Sequence, residues 1–67
     1  MNNGEHLKEA TLQGFIAQKA KARANLEVYL TAPIGIGEHP DLVDVMKALV
    51  KEIAEADECI QVIRGLN

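Results

Sequence analysis

Few side chains in this 67-residue chain could act as catalysts, and they match no known motif. Cys59 is the only cysteine, and a catalytic thiol needs a neighbouring base that favours its thiolate form. Glu55 and Glu58 lie near it instead and disfavour that form. We therefore interpret Cys59 as a small apolar residue beside a helical stripe, and we predict that the chain is not an enzyme.

A second candidate for chemistry is the polar group around His39. Its imidazole, together with the carboxylates of Glu38, Asp41 and Asp44, provides ligand types that divalent metals use. The spacing matches no defined metal motif, and capping of a helix that begins here explains the same residues. We expect neither a metal nor another cofactor.

A glycine pair, Gly35 and Gly37, precedes this predicted helix, as in turns that bind phosphate through backbone amides. No strand precedes the pair, and Pro40 occupies the position of the expected third glycine. The carboxylates of Glu38 and Asp41 would also repel a phosphate. We interpret this segment as a structural loop.

Lys19, Lys21 and Arg23 form the one basic cluster, and Lys19 and Arg23 share a helix face because they are four residues apart. A basic cluster on a helix is typical of a nucleic-acid contact. The net charge of −3 argues against a general binder of nucleic acids or anionic membranes. We expect Lys19 to lie near Glu52 of a facing helix, and nucleic-acid binding through the cluster is the alternative function.

The element that positions most of these residues is indicated by an apolar repeat in the C-terminal half. Its residues recur at spacings of four and three, which places them on one stripe of a helix. They are Leu42, Met46, Leu49, Ile53, Ala56, Ile60 and Ile63. Other apolar residues lie beside the predicted helix contact or outside it, and a lone hairpin would expose them: Phe15, Tyr29, Val43, Val45, Val50, Cys59 and Val62.

A first helix is predicted over residues 3–31, with the side chain of Asn2 or Asn3 as its cap. Gly14 in its interior costs about 1 kcal/mol relative to alanine. Either packing demands a small residue at this position or the ordered helix begins after it, and we favour the first.

Pro33 and the two glycines predict a loop over residues 32–39. Pro40 suits the first position of a second helix, which we expect over residues 40–64. Gly65 then follows the end of that helix.

These elements predict an all-α fold: one domain over residues 1–67 that forms an antiparallel two-helix hairpin. So short a chain buries little surface, and a single cysteine allows no internal disulfide, so we expect self-association into a four-helix bundle, as a dimer first and a tetramer second. The predicted seam consists of Leu12, Phe15, Ile16, Leu26, Leu30, Leu42, Met46, Leu49, Ile53, Ile60 and Ile63.

Membrane insertion and secretion are not indicated. No uninterrupted apolar run reaches the roughly 20 residues of a membrane span, and the N-terminal MNNGEHLKEA lacks the basic and apolar regions of a secretion signal. We expect a cytoplasmic protein without membrane contact.

The segments NLEVYL (residues 25–30) and PIGIGEHPD (residues 33–41) resemble short uncharacterised proteins of tailed bacteriophages, particularly T4-like phages of marine bacteria. The resemblance implies a phage accessory role in the host cytoplasm, and it implies no catalytic residue.

The function that we predict is that of a small oligomeric interaction protein that binds another macromolecule. Ile34 and Ile36 are apolar residues in the loop, where they either cap the end of the hairpin or dock a protein partner. The candidate partner-binding residues are Ile34, Ile36, Lys19, Lys21 and Arg23.

Overall fold

The computed structural model describes residues 2–31 and 41–66, which form two α-helices and no strand. α1 spans Asn3–Thr31 and α2 spans Leu42–Arg64. The helices run antiparallel, and Lys8 near the start of α1 donates a hydrogen bond from Nζ to the carbonyl oxygen of Leu66 at 2.6 Å. The predicted all-α helical hairpin is confirmed.

Asn2 caps the start of α1. Its side-chain Oδ1 accepts a hydrogen bond from the backbone N–H of Glu5 at 2.8 Å, and its carbonyl oxygen accepts one from the N–H of His6 at 3.1 Å. The first amides of a helix have no partner within the helix, so a side-chain acceptor stabilises this end. Of the two caps that the sequence predicts, Asn2 is the one used.

α1 continues without a break through Gly14. A Cβ atom added there would meet nothing within 4 Å, and the residue is exposed. The expectation that packing demands a small residue at Gly14 is therefore wrong within the hairpin. The surrounding helix tolerates the glycine because the cost of one such residue is small beside the propensity of many good helix formers.

α2 begins at Leu42, two residues later than predicted, and Asp41 precedes it without a side-chain capping hydrogen bond. The predicted cap His39, Pro40 and the predicted loop lie outside the described residues. At the other end, the N–H of Gly65 donates to the carbonyl oxygens of Gln61 and Val62, both at 3.1 Å.

The core of the hairpin is thin. Four described side chains are buried, and the two with the least exposure are alanines, Ala22 at 1% and Ala56 at 0%. Small side chains allow two helices to approach closely at their level. Ile60 and Ile63 complete the buried set, and none of the large side chains that the structure describes is fully buried.

The hairpin is elongated, with extents of 52 × 15 × 13 Å. Its radius of gyration is 15.7 Å, whereas a compact domain of this length has a radius of about 11 Å. Neither of the two helices is long and apolar enough to cross a membrane. Two helices side by side form a layer one helix thick, so both faces of that layer are surface.

Candidate interaction surface

The predicted seam residues differ in how far α1 and α2 cover them. Ile60 and Ile63 are buried, whereas Leu30 is 59% exposed. The others are half-buried: Leu12, Phe15, Ile16, Leu26, Leu42, Met46, Leu49 and Ile53. Ala22 is buried but is not among the predicted seam residues. Its signal in the sequence is its place between the two clusters of large apolar residues in α1.

Much apolar surface is left uncovered. Large apolar side chains that are 39–68% exposed are Leu7, Val28, Leu30, Val43, Val45, Val50, Val62 and Leu66. The four α2 valines in this set are among the residues that the sequence predicts to be exposed in a lone hairpin, and that prediction is confirmed for them. Phe15, Tyr29 and Cys59 are half-buried instead.

One apolar depression lies entirely on α2, and we call it the α2 strip. It is lined by Val43, Met46 and Val50, with Lys47 and Lys51 beside them, and its lining is almost wholly apolar. No residue of α1 contributes to it. The sequence places the two valines beside the helix contact, and the spacing of four between Lys47 and Lys51 indicates that these lysines share a face.

Two of the grooves between the helices contain exposed valines. One is lined by Asn25, Val28, Tyr29, Val45 and Leu49, and the other by Thr11, Phe15, Glu58, Cys59, Val62 and Ile63. Thr11 and Tyr29 are 18 residues apart, as are Val45 and Ile63, which corresponds to five helical turns. Both grooves therefore follow the same edge of the hairpin, which we call the groove edge.

The basic cluster is divided between two faces: Lys19 and Arg23 share one, as predicted, and together line two depressions, whereas Lys21 lies on another. Lys19 Nζ lies 2.6 Å from Asp57 Oδ1, so Lys19 pairs with α2 as predicted, but its partner is Asp57 rather than Glu52. The α2 residue that faces Lys19 is thus five positions further along than the predicted register placed it. Lys21 and Arg23 are exposed, and residues two apart point about 200° apart around a helix.

The described residues contain neither a metal-binding group nor a buried polar side chain. Over residues 2–31 and 41–66, no group of three His, Cys, Asp or Glu side chains could hold a metal ion. None of the buried side chains in those ranges is polar or charged. The residues from Ile34 to His39 that raised the questions of a metal, a phosphate or a docked partner lie outside those ranges.

Comparison with protein-family models, with curated proteins and with solved structures found no match. The surface is therefore interpreted from its own residues. Its two main features are the α2 strip, which belongs to one helix, and the groove edge, which both helices form.

Proposed function

We propose that this chain is a small helical interaction protein that self-associates, as a two-fold dimer first and a tetramer second, into a four-helix bundle that binds another macromolecule. The supporting observation is the apolar surface that the hairpin leaves uncovered. Eight large apolar side chains are more than one third exposed, and only four side chains are buried among the described residues. Part of this surface is contiguous, since Val43, Met46 and Val50 line one depression, and contiguous apolar surface is typical of interaction sites.

The total surface area supports the same proposal. The chain exposes 5185 Å², whereas a compact monomer of this mass exposes about 4200 Å². The excess is close to the roughly 800 Å² that one partner contributes to a standard protein interface. Docking of a second hairpin would bring the exposed area per chain near the value of a compact domain.

The experiment that tests self-association is the solution mass, measured by light scattering after size-exclusion chromatography over a dilution series. We expect a dimer or a tetramer that dissociates on dilution. A folded monomer at every concentration would contradict self-association.

A substitution in the seam tests whether the same apolar surface holds the assembly together. Ile53→Asp places a carboxylate at a half-buried seam position and should unfold the chain or break the oligomer. Ala48→Asp, at an exposed position of the same helix, is the matched control and should change neither. An oligomer that survives Ile53→Asp with unchanged stability would contradict the proposed seam.

The alternative function, nucleic-acid binding through Lys19, Lys21 and Arg23, is tested with the same samples. Lys19 is already paired with Asp57, which weakens its availability to a phosphate. Salt-sensitive binding that Lys19→Ala and Arg23→Ala both weaken would favour this alternative.

The resemblance to phage proteins suggests an accessory role in the host cytoplasm as the biological setting, with Ile34 and Ile36 as the docking point for a protein partner.

A further inference from the structure

The α2 strip can accept a second helix without any change to the hairpin. Val43 and Val50 are 66% and 53% exposed, and they lie seven residues, or two turns, apart. Exposed Ala54 continues the same face. Because α1 lines no part of this depression, a helix that lies along it displaces nothing.

Opposite charges flank the strip at opposite ends of α2. Lys47 lies in the N-terminal half and lines the strip, whereas Glu58 lies in the C-terminal half beyond the strip, where it also borders the groove edge, and both side chains are exposed. Asp57, which pairs with α1, marks the flank of the strip near α1, and helix geometry places Lys47 and Glu58 on the other flank.

Lys47 and Glu58 cannot pair with each other within one chain. They are eleven residues apart, or about 16 Å along the helix axis. Among the described residues, neither forms a salt bridge. A second copy of α2 carries the complementary charge for each of them.

We infer that two copies of this chain dock antiparallel through their α2 strips, with Lys47 of each copy beside the partner's Glu58. A two-fold axis brings the same flank of both helices together, so this contact occurs twice. In this register Val50 lies within one residue of the level of the partner's Ala54, and the two copies of α2 overlap over nearly their whole length. The inference rests on the proposed self-association and names its surface and direction.

A parallel arrangement of the same strips is disfavoured. A two-fold axis along parallel helices brings opposite flanks together at the same level, so Lys47 would lie about 16 Å from the level of the partner's Glu58 and neither contact would form. Antiparallel helices also oppose their dipoles. The small side chains of Val50 and Ala54 at the centre permit the close helix spacing of 8–10 Å that is common in bundles.

Charge reversal in two separate chains tests the inference. Lys47→Glu alone and Glu58→Lys alone each turn two attractive contacts of the dimer into two repulsive ones. At low ionic strength each variant should self-associate roughly thirtyfold more weakly than the original chain. An equimolar mixture of the two variants should form heterodimers with nearly the original affinity, because one chain then supplies only acidic and the other only basic partners.

The readouts are sedimentation velocity for affinity and native mass spectrometry, with one variant isotope-labelled, for the composition of the dimer. Circular dichroism checks that each variant keeps its helix content. Lys21→Glu is the charge control, because Lys21 is exposed on α1 and no residue of α1 lines the strip, and it should change the affinity by less than about threefold. High salt should reduce the differences between the variants.

Two matched valine variants test the apolar part of the contact. Val50→Asp should abolish the dimer, whereas Val62→Asp, at a valine of similar exposure on another face of α2, should leave it intact.

Loss of the dimer in Val62→Asp but not in Val50→Asp would place the contact on the groove edge and overturn the inference. If the original chain dimerises but the mixture of Lys47→Glu and Glu58→Lys forms no heterodimers, the inference about the α2 strips is also overturned. The proposed self-association would then stand. A chain that stays monomeric before any substitution would overturn both.

Discussion

Replacement of Gly14 by alanine should stabilise the chain. The residue lies in the unbroken interior of α1, its position is exposed, and an added Cβ atom meets no atom within 4 Å. Glycine at such a position is about 0.8–1 kcal/mol less favourable than alanine. Because 1 kcal/mol shifts the Tm of a domain this small by roughly 4–8 °C, we expect an increase in Tm of that size.

Two other glycines are matched controls for the same substitution. A Cβ atom at Gly4 lies 3.3 Å from Asn2 Oδ1, the atom that caps α1, so crowding of the cap offsets the gain in helix propensity. Gly65 has a φ of −84°, which alanine adopts readily, but it lies at the end of α2, where propensity counts little. Thermal and urea unfolding, followed by circular dichroism, should therefore show a clear gain for Gly14→Ala alone.

An unchanged or lower stability of the Gly14→Ala variant would refute this reasoning. Nothing described within the hairpin approaches Gly14, so the cause would be a close neighbour from another molecule. Repeating the unfolding experiment after dilution identifies such a neighbour, because a clash between copies lowers the stability only where the copies associate.

Two further predictions concern the contact between α1 and α2. Ala56→Leu adds three carbon atoms at a position with 0% exposure, and we expect the free energy of unfolding to fall by about 1–3 kcal/mol. Urea unfolding measures this loss, and Ala48→Leu on the exposed face is the control that should be nearly neutral. A neutral Ala56→Leu would show that the helices do not meet closely at this level. Lys19→Met and Asp57→Asn, tested singly and together, should give a coupling energy below about 1 kcal/mol that high salt removes, because the two side chains are 32% and 50% exposed. A coupling energy above about 2 kcal/mol would indicate a desolvated pair and contradict the observed exposure.

The helices themselves could be predicted because their signals are local. Asn2 caps α1 through an acceptor three residues before the amide that it binds, and α1 spans Asn3–Thr31 as expected. The spacing of four and three in the C-terminal half follows from the helical period alone, and α2 covers that whole repeat. The helical period also showed that the apolar face of α2 is wider than one facing helix covers. The exposed valines of α2 are the part that α1 leaves uncovered.

The contacts between the helices could not be predicted at the same level. Glu52 and Asp57 are both carboxylates near the middle of α2, and the choice between them as partner of Lys19 depends on the axial shift of one helix against the other. Side-chain types alone do not define that shift, because several registers bring apolar residues into contact. The role assigned to Gly14 failed for a related reason, since free space beside a residue is a property of its neighbours in three dimensions.

The sequence by itself determined two helices, a cap at Asn2 and an apolar face wider than one facing helix covers. Only the tertiary structure showed that the least exposed side chains of the contact are Ala22 and Ala56 rather than the larger side chains of the seam. The physical reason is that propensity, capping and periodicity act within a few residues of chain. Burial depends instead on how closely two helices approach, and the smallest side chains allow the closest approach.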